Sequence, residues 1–313
     1  SPLIKDGRVV TAECLGGTGA LRVGGDFVKR LEPQAKAAIS APSWENHRGI
    51  FEAAGYEVLE YTYFDPKTRG VDFDGMVKSL ESFPPKTFVV LHACCHNPTG
   101  ADLTKEQWQK IISICQTKQL IPFLDLAYQG FAEGIEADGT AVRMFAQSGL
   151  SFFVSSSFSK SFSLYGERVG ALSIVTQSKE ESTRVMSQLK KVIRTNYSNP
   201  PTHGAAIVAM VLNSPKLRQM WEAELAQMRD RIKAMRQGLK QKLASAGVQQ
   251  DFSFIEAQRG MFSYSGLTAD QVSKLQEQDG IYALSTGRIC VAALNTKNID
   301  RVAQAIARVV MSK

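Results

Sequence analysis

The 313-residue chain reads as an α/β protein: a mostly parallel sheet with helices on both faces, followed by a smaller α/β unit at the C-terminal end. Three observations predict this. Short, nearly continuous apolar runs alternate with helix-length segments, the pattern of strands buried on both faces and joined by crossover helices. From Leu217 onward the apolar period changes to three or four residues over one long stretch. The length is enough for a large core and a second, smaller one.

Taken in order, residues 57–63, 87–93, 121–126, 151–155 and 171–175 read as strands, and 105–118 and 177–194 as helices. Thr104 is a fitting N-cap for the first helix, with Gln107 three residues on to complete a capping box. Gly16-Gly17-Thr18-Gly19 opens another predicted helix. Leu217, Trp221, Leu225, Met228, Ile232, Met235, Leu239 and Leu243 form one amphipathic stripe, which Ala246-Gly247 ends. Strand-like runs follow at 252–254, 260–264, 280–284 and 288–291, then a closing helix over 298–311. Residues 1–226 are expected to form the large domain and 227–313 the small one.

Composition narrows the function. Hydrophobic residues make up 44% and charged residues 21%, as in soluble globular proteins. No apolar run approaches membrane-spanning length, so no membrane partner is expected. The formal charge is +7, but the basic residues are dispersed among acids rather than gathered with aromatics, which argues against nucleic acid and suits small anionic substrates. Five cysteines, an odd number without zinc-type spacing, fit a reduced protein of the cytoplasm. His92 and His96 lie four apart in an extended run and are not expected to share a face, so no metal site is expected. The chain starts Ser1-Pro2-Leu3, without a signal peptide or an initiator methionine, as a processed or shortened form would.

The chemistry gathers at strand ends. In Ser155-Ser-Ser-Phe-Ser-Lys160-Ser-Phe-Ser-Leu-Tyr-Gly166-Glu-Arg168, an apolar strand feeds a hydroxyl-rich turn that presents one lysine, with an arginine at a fixed distance. Such an amine can form a Schiff base with an aldehyde, and the hydroxyls and Arg168 can hold an attached phosphate. Asp125 sits at the apolar tip of Ile121-Pro-Phe-Leu-Asp125-Leu-Ala-Tyr128. A carboxylate there needs a cationic partner, which a protonated pyridine nitrogen supplies, or serves as a helix cap. Tyr128 can donate to a phenolate oxygen on the same ring. Asn97, in His96-Asn97-Pro98-Thr-Gly100, can do likewise, and the bond before Pro98 is a candidate cis peptide.

Gly17 and Thr18 open their helix with backbone amides and a hydroxyl, a phosphate cradle that matches neither a Walker loop nor a complete Gly-x-Gly-x-x-Gly. Trp44 can stack on a flat ring, with His47 nearby. Arg288, at the head of an apolar strand, calls for a carboxylate, and Arg194, before a Pro-Pro turn, can reach another. A lysine, an acid for a pyridine nitrogen, a phosphate cup and one or two carboxylate clamps are what an enzyme using pyridoxal 5′-phosphate on amino acids requires.

These motifs resemble those of the class I aminotransferases, specifically the aspartate and aromatic amino-acid group, over essentially the whole chain. Trp44-Glu-Asn-His47, His96-Asn97-Pro98-Thr-Gly100, Asp125-Leu-Ala-Tyr128, Ser157-Phe-Ser-Lys160 with Arg168, and Tyr197-Ser-Asn-Pro-Pro201 carry the likeness. The resemblance implies the fold type I architecture, with Lys160 holding the cofactor and then moving the proton, and Asp125 keeping the pyridine nitrogen protonated. Asn97 and Tyr128 would bind the ring oxygen, lowering the pKa of the Schiff base. Trp44 would stack on the ring, and His47 would support Asp125 from behind. Gly17, Thr18, Ser157 and Arg168 would hold the phosphate, and Arg288 the substrate α-carboxylate. Arg194 would reach the neighbouring subunit's site, which implies a homodimer with shared active sites.

The substrates implied are amino acids and 2-oxo acids: aspartate or an aromatic amino acid against 2-oxoglutarate and glutamate. The family's N-terminal arm, with part of the small domain and a tyrosine that reaches the cofactor phosphate, is expected to precede Ser1. Two alternatives stand beside this reading. One is a lyase or decarboxylase on the same fold, against which Arg194 argues. The other is a shortened, non-catalytic fragment.

Overall fold

The structure, a computed structural model, describes residues 1–312. One sheet of seven strands organises the chain: β1 (Val9–Leu15), β2 (Ala37–Ala41), β3 (Val58–Thr62), β4 (Phe88–His92), β5 (Ile121–Leu126), β6 (Phe152–Ser157) and β7 (Val169–Val175), in the spatial order β1-β7-β6-β5-β4-β2-β3. The contacts β2–β3, β2–β4, β4–β5 and β5–β6 are parallel. β7 runs antiparallel to both of its neighbours. The expected mostly parallel sheet is therefore what forms, with an antiparallel flank.

β4 is buried along its whole length and β5 nearly so, because helices cover both faces. Alternate side chains enter two separate cores. Phe88, Val90, Phe123 and Phe153 pack with Leu21, Phe27, Phe51 and Leu189. Val89, Leu91, Leu124, Phe152 and Val154 pack with Trp108, Ile111, Phe145 and Leu225 on the other face. The helix over Lys105–Lys118 has the expected limits, and its Thr104–Gln107 capping box is formed in both directions. The apolar stripe from Leu217 lies on a single helix, Pro215–Ser245, which runs unbroken through the expected domain boundary at 226/227. It stops at Ala246, where Gly247 takes a φ of +84°.

The C-terminal part departs from expectation in two places. Residues 252–254 form no strand: the Asp251 carboxylate accepts the N–H and the hydroxyl of Ser253, and the chain enters a short helix, Phe254–Ala257. This local turn overrides the aromatic alternation. Residues 280–284 are irregular, since Gly280 caps the helix Ala269–Asp279 in the left-handed region and Ile281 N–H bonds back to Leu275. Two short strands remain, β8 (Phe262–Tyr264) and β9 (Arg288–Cys290), paired antiparallel. The closing helix spans Ile299–Met311.

At the other end of the sheet, β1 and β7 bring two glycines into backbone contact. A Cβ on Gly170 would lie 2.3 Å from the carbonyl carbon of Gly16. Gly170→Ala is therefore expected to cost about 2 kcal/mol or more, since backbone rather than a mobile side chain must move. A urea unfolding midpoint equal to that of the parent chain would refute this close approach.

Candidate active site

Parallel strands put their carboxyl ends along one edge of the sheet, and the register there aligns the polar residues. His92, Asp125 and Ser155 are direct neighbours across β4, β5 and β6. Above them lies a cleft lined among others by Gly17, Thr18, Trp44, Asn97, Asp125 and Lys160.

Asp125 is buried at its floor. His47 Nε2 meets its Oδ2 at 2.9 Å, and Ser43 Oγ fixes the other imidazole nitrogen at 2.9 Å. Burial pushes the Asp125 carboxyl pKa up, but the hydrogen bond and charge of His47, with lesser help from Lys160, bring it below the usual range. Its Oδ1 has no hydrogen-bond partner among the described residues. His92 lies against His47, ring centroids 4.9 Å apart, and burial lowers its pKa to about 3, so it stays neutral.

The histidines correct one expectation. The chain turns after β4, with Cys95 at a φ of +52°, and folds the ring of His96 back to 4.3 Å from that of His92. His47, His92 and Asp125 place three ligating atoms within 4.8 Å of one another, but the His47–Asp125 hydrogen bond already occupies two of them.

Lys160 Nζ sits 4.7 Å from the ring centre of Tyr128 and 5.3 Å from that of Tyr165. Burial lowers its pKa, Asp125 opposes this, and Arg168 adds to it. Burial raises the Tyr128 phenol well above its ordinary value, so it remains a donor. Asn97 Nδ2 approaches the Tyr128 hydroxyl at 3.5 Å, and Arg288 Nη1 donates to Asn97 Oδ1 at 3.1 Å. Arg288 also lies over the Phe262 ring, so β8 and β9 both bear on its placement. The peptide before Pro98 is cis, as the motif suggested. Trp44 lines the cleft and sets its ring edge-on to His47.

At the far end, the helix Gly16–Leu31 starts at the cleft wall. Gly16 has a φ of +67°, and a Cβ there would meet Arg168 Nη2 at 2.7 Å. A Cβ on Gly17 would lie 3.2 Å from that of Ser157. Arg168 donates to the carbonyls of Tyr165 and Leu15 and has no acidic partner among the described residues. A cation, helix N-terminal amides and the hydroxyls of Thr18, Ser157 and Ser159 thus surround one end of the cleft.

This arrangement is matched by a family. The profile described as aminotransferase class I and II covers residues 1–306. The chain belongs to that family. It is 62% identical over 309 residues to an aspartate aminotransferase of Pseudomonas aeruginosa, covering 99% of this chain and 78% of that one. It is 51% identical over 308 residues to the aromatic-amino-acid aminotransferase of Escherichia coli, covering 98% and 78%. Among solved structures, the aromatic-amino-acid aminotransferase of Burkholderia pseudomallei, covalently bound to pyridoxal phosphate, superposes with a TM-score of 0.98 at 66% identity, covering 99% of this chain and 78% of that one.

Most of the site residues expected in this aminotransferase converge on the cleft, but Arg194 does not. It is exposed in the last turn of the helix Lys179–Asn196, where Nη1 meets Ser198 Oγ at 2.5 Å. Tyr165 and Ser159, which no motif marks, line the cleft, as does His92, which the sequence offered only as half of a rejected metal pair. Trp221 was legible only as part of a helical stripe. In the structure its Nε1 donates to Ser161 O at 2.6 Å and its ring stacks on Phe162, which ties the long helix to the lysine loop.

Because Asp125 supports the charge on Lys160, Asp125→Asn is expected to lower the Lys160 pKa further in the ligand-free protein. NMR titration of the labelled lysine reads this directly. An unchanged or raised value would mean that the two groups are not coupled.

Proposed function

We propose that this aminotransferase uses pyridoxal 5′-phosphate to exchange an amino group between aspartate or an aromatic amino acid and 2-oxoglutarate, in two half-reactions of a ping-pong cycle. The observation that carries the reading is one cleft holding a desolvated lysine, a buried carboxylate kept ionised by a histidine, and an unpaired arginine beside a helix N-terminus. The donor set fits the cofactor. Asp125 Oδ1 is without a partner among the described residues, as a group awaiting a ring N–H should be, and the left-handed Gly16 sits where a Cβ would meet the Arg168 guanidinium. Gly17, Thr18, Ser157 and Arg168 would hold the phosphate. Trp44 would cover the ring, and Asn97 and Tyr128 would donate to its oxygen.

When bound, the cofactor supplies an aldehyde for the amino group and a ring that takes up the electron pair released at the substrate Cα. The chain supplies position and protons. Asp125, ionised through His47, holds a proton on the ring nitrogen. Lys160, its pKa lowered by burial, carries a larger neutral fraction than an exposed lysine, and its Nζ takes the Cα proton. Arg288, steadied on Asn97, binds the α-carboxylate.

Arg194 is exposed and lies outside the lining of its own cleft, which supports its serving the other subunit of a homodimer. The helix Thr202–Asn213 has no charged residue and leaves Met210 67% exposed, a face suited to such an interface. Five free cysteines, four of them buried, support a cytoplasmic location. No helix among the described residues is long and apolar enough to cross a membrane.

Lys160→Ala is expected to reduce turnover by about 10³-fold or more while the circular dichroism spectrum is retained; near-normal turnover would exclude Lys160 as the acting amine. In a panel of aspartate, glutamate, tyrosine and phenylalanine, Arg194→Ala should lose about a hundredfold in kcat/KM for aspartate and little for phenylalanine. Equal losses would mean that Arg194 does not read the substrate side chain.

A further inference from the structure

Asp102 lies outside the cleft lining and has no role in the reading above, yet it holds the loop that delivers Asn97. Between the end of β4 and Gly100 the chain must reverse so that the Asn97 amide faces the cleft. The reversal uses a non-glycine residue, Cys95, at a φ of +52°, a conformation disfavoured for L-residues. In it, two successive backbone N–H groups turn the same way. Both are taken by one carboxylate: Cys95 N–H donates to Asp102 Oδ2 at 2.7 Å and His96 N–H to Oδ1 at 2.8 Å. The Cys95 side chain adds a weaker tie, its Sγ donating to Tyr128 O at 3.7 Å, and the other ties act further along. Gly100 N–H bonds to His96 O at 2.7 Å, and the His96 ring is fixed by Thr99 and Ser40 hydroxyls at 2.8 and 2.9 Å.

We infer that Asp102 is a positioning residue of the active site, which sets the orientation of Asn97 by bridging the N–H groups of Cys95 and His96. A carboxylate offers an acceptor oxygen to each donor. An asparagine of the same size offers one oxygen and one NH₂, so one backbone N–H would face another donor. The left-handed turn then loses its anchor. Asn97, which follows His96 directly and accepts from Arg288, turns with it.

The inference rests on the proposed placement of Asn97 at the cofactor's ring oxygen, and the test separates the two. In the loaded enzyme, the pH midpoint of the bound cofactor's absorbance reports the Asn97 donor, because a hydrogen bond to the charged oxygen lowers it. Asn97→Ala is expected to raise the midpoint. Asp102→Asn should raise it in the same direction, by about 0.5 unit or more, roughly threefold in the protonation constant. The double variant should titrate like Asn97→Ala alone, since one residue acts through the other.

A parent-like midpoint in Asp102→Asn beside a shifted Asn97→Ala would overturn the inference, as would a double variant that sums both shifts. A silent Asn97→Ala would instead overturn the placement of Asn97, and the inference with it. A purely structural Asp102 would lower the melting temperature and leave the midpoint alone. If Asp102→Asn does not fold, Asp102→Ala, which opens both N–H groups to water, carries the same expectation.

Discussion

The site depends on keeping one carboxylate ionised where water cannot reach it. Burial alone would drive a proton onto Asp125, and a neutral acid could not hold a positive charge on a ring nitrogen in the role proposed for it. The hydrogen bond from His47, itself held by Ser43, reverses that tendency. The same carboxylate then sets the charge on Lys160, which burial pulls the other way. A lysine lightly depressed and a carboxylate held down are two outcomes of one balance, and both require β5 to end at this depth in the sheet.

The fold supplies that depth. Four parallel contacts align the ends of β2 to β6, and the in-register row of His92, Asp125 and Ser155 brings three polar residues to one level above two apolar layers. The antiparallel flank adds what parallel strands alone could not. It returns the chain so that Arg168, at the start of β7, stands beside Gly16, at the start of a helix, and their proximity forms the cationic end of the cleft.

Much of this was legible in the sequence where chemistry and strand ends coincide. Lys160, Asp125, Asn97 and Arg168 stand in short motifs, and β4 and β5 are apolar enough to announce themselves. Other parts were hidden for identifiable reasons. β2, Ala-Ala-Ile-Ser-Ala, has little strand propensity of its own and is held by pairing with β3 and β4. Residues 252–254 have strand-like alternation that a single aspartate overrides. The approach of His96 to His92, and the roles of Tyr165, Trp221 and Asp102, depend on partners distant in the sequence or on a turn that no spacing rule describes.

The antiparallel pairing of β6 with β7 has a mechanical consequence for the lysine. Ser157 and Gly170 are ladder partners, and Phe158 N–H bonds to Val169 O, so the segment bearing Lys160 is stitched at both feet. Trp221 pins its middle from the long helix. With the backbone fixed, the amine has only its four-carbon tether to move. Movement of Nζ then takes side-chain rotation alone, and the backbone that forms this wall of the cleft keeps its shape as the lysine turns.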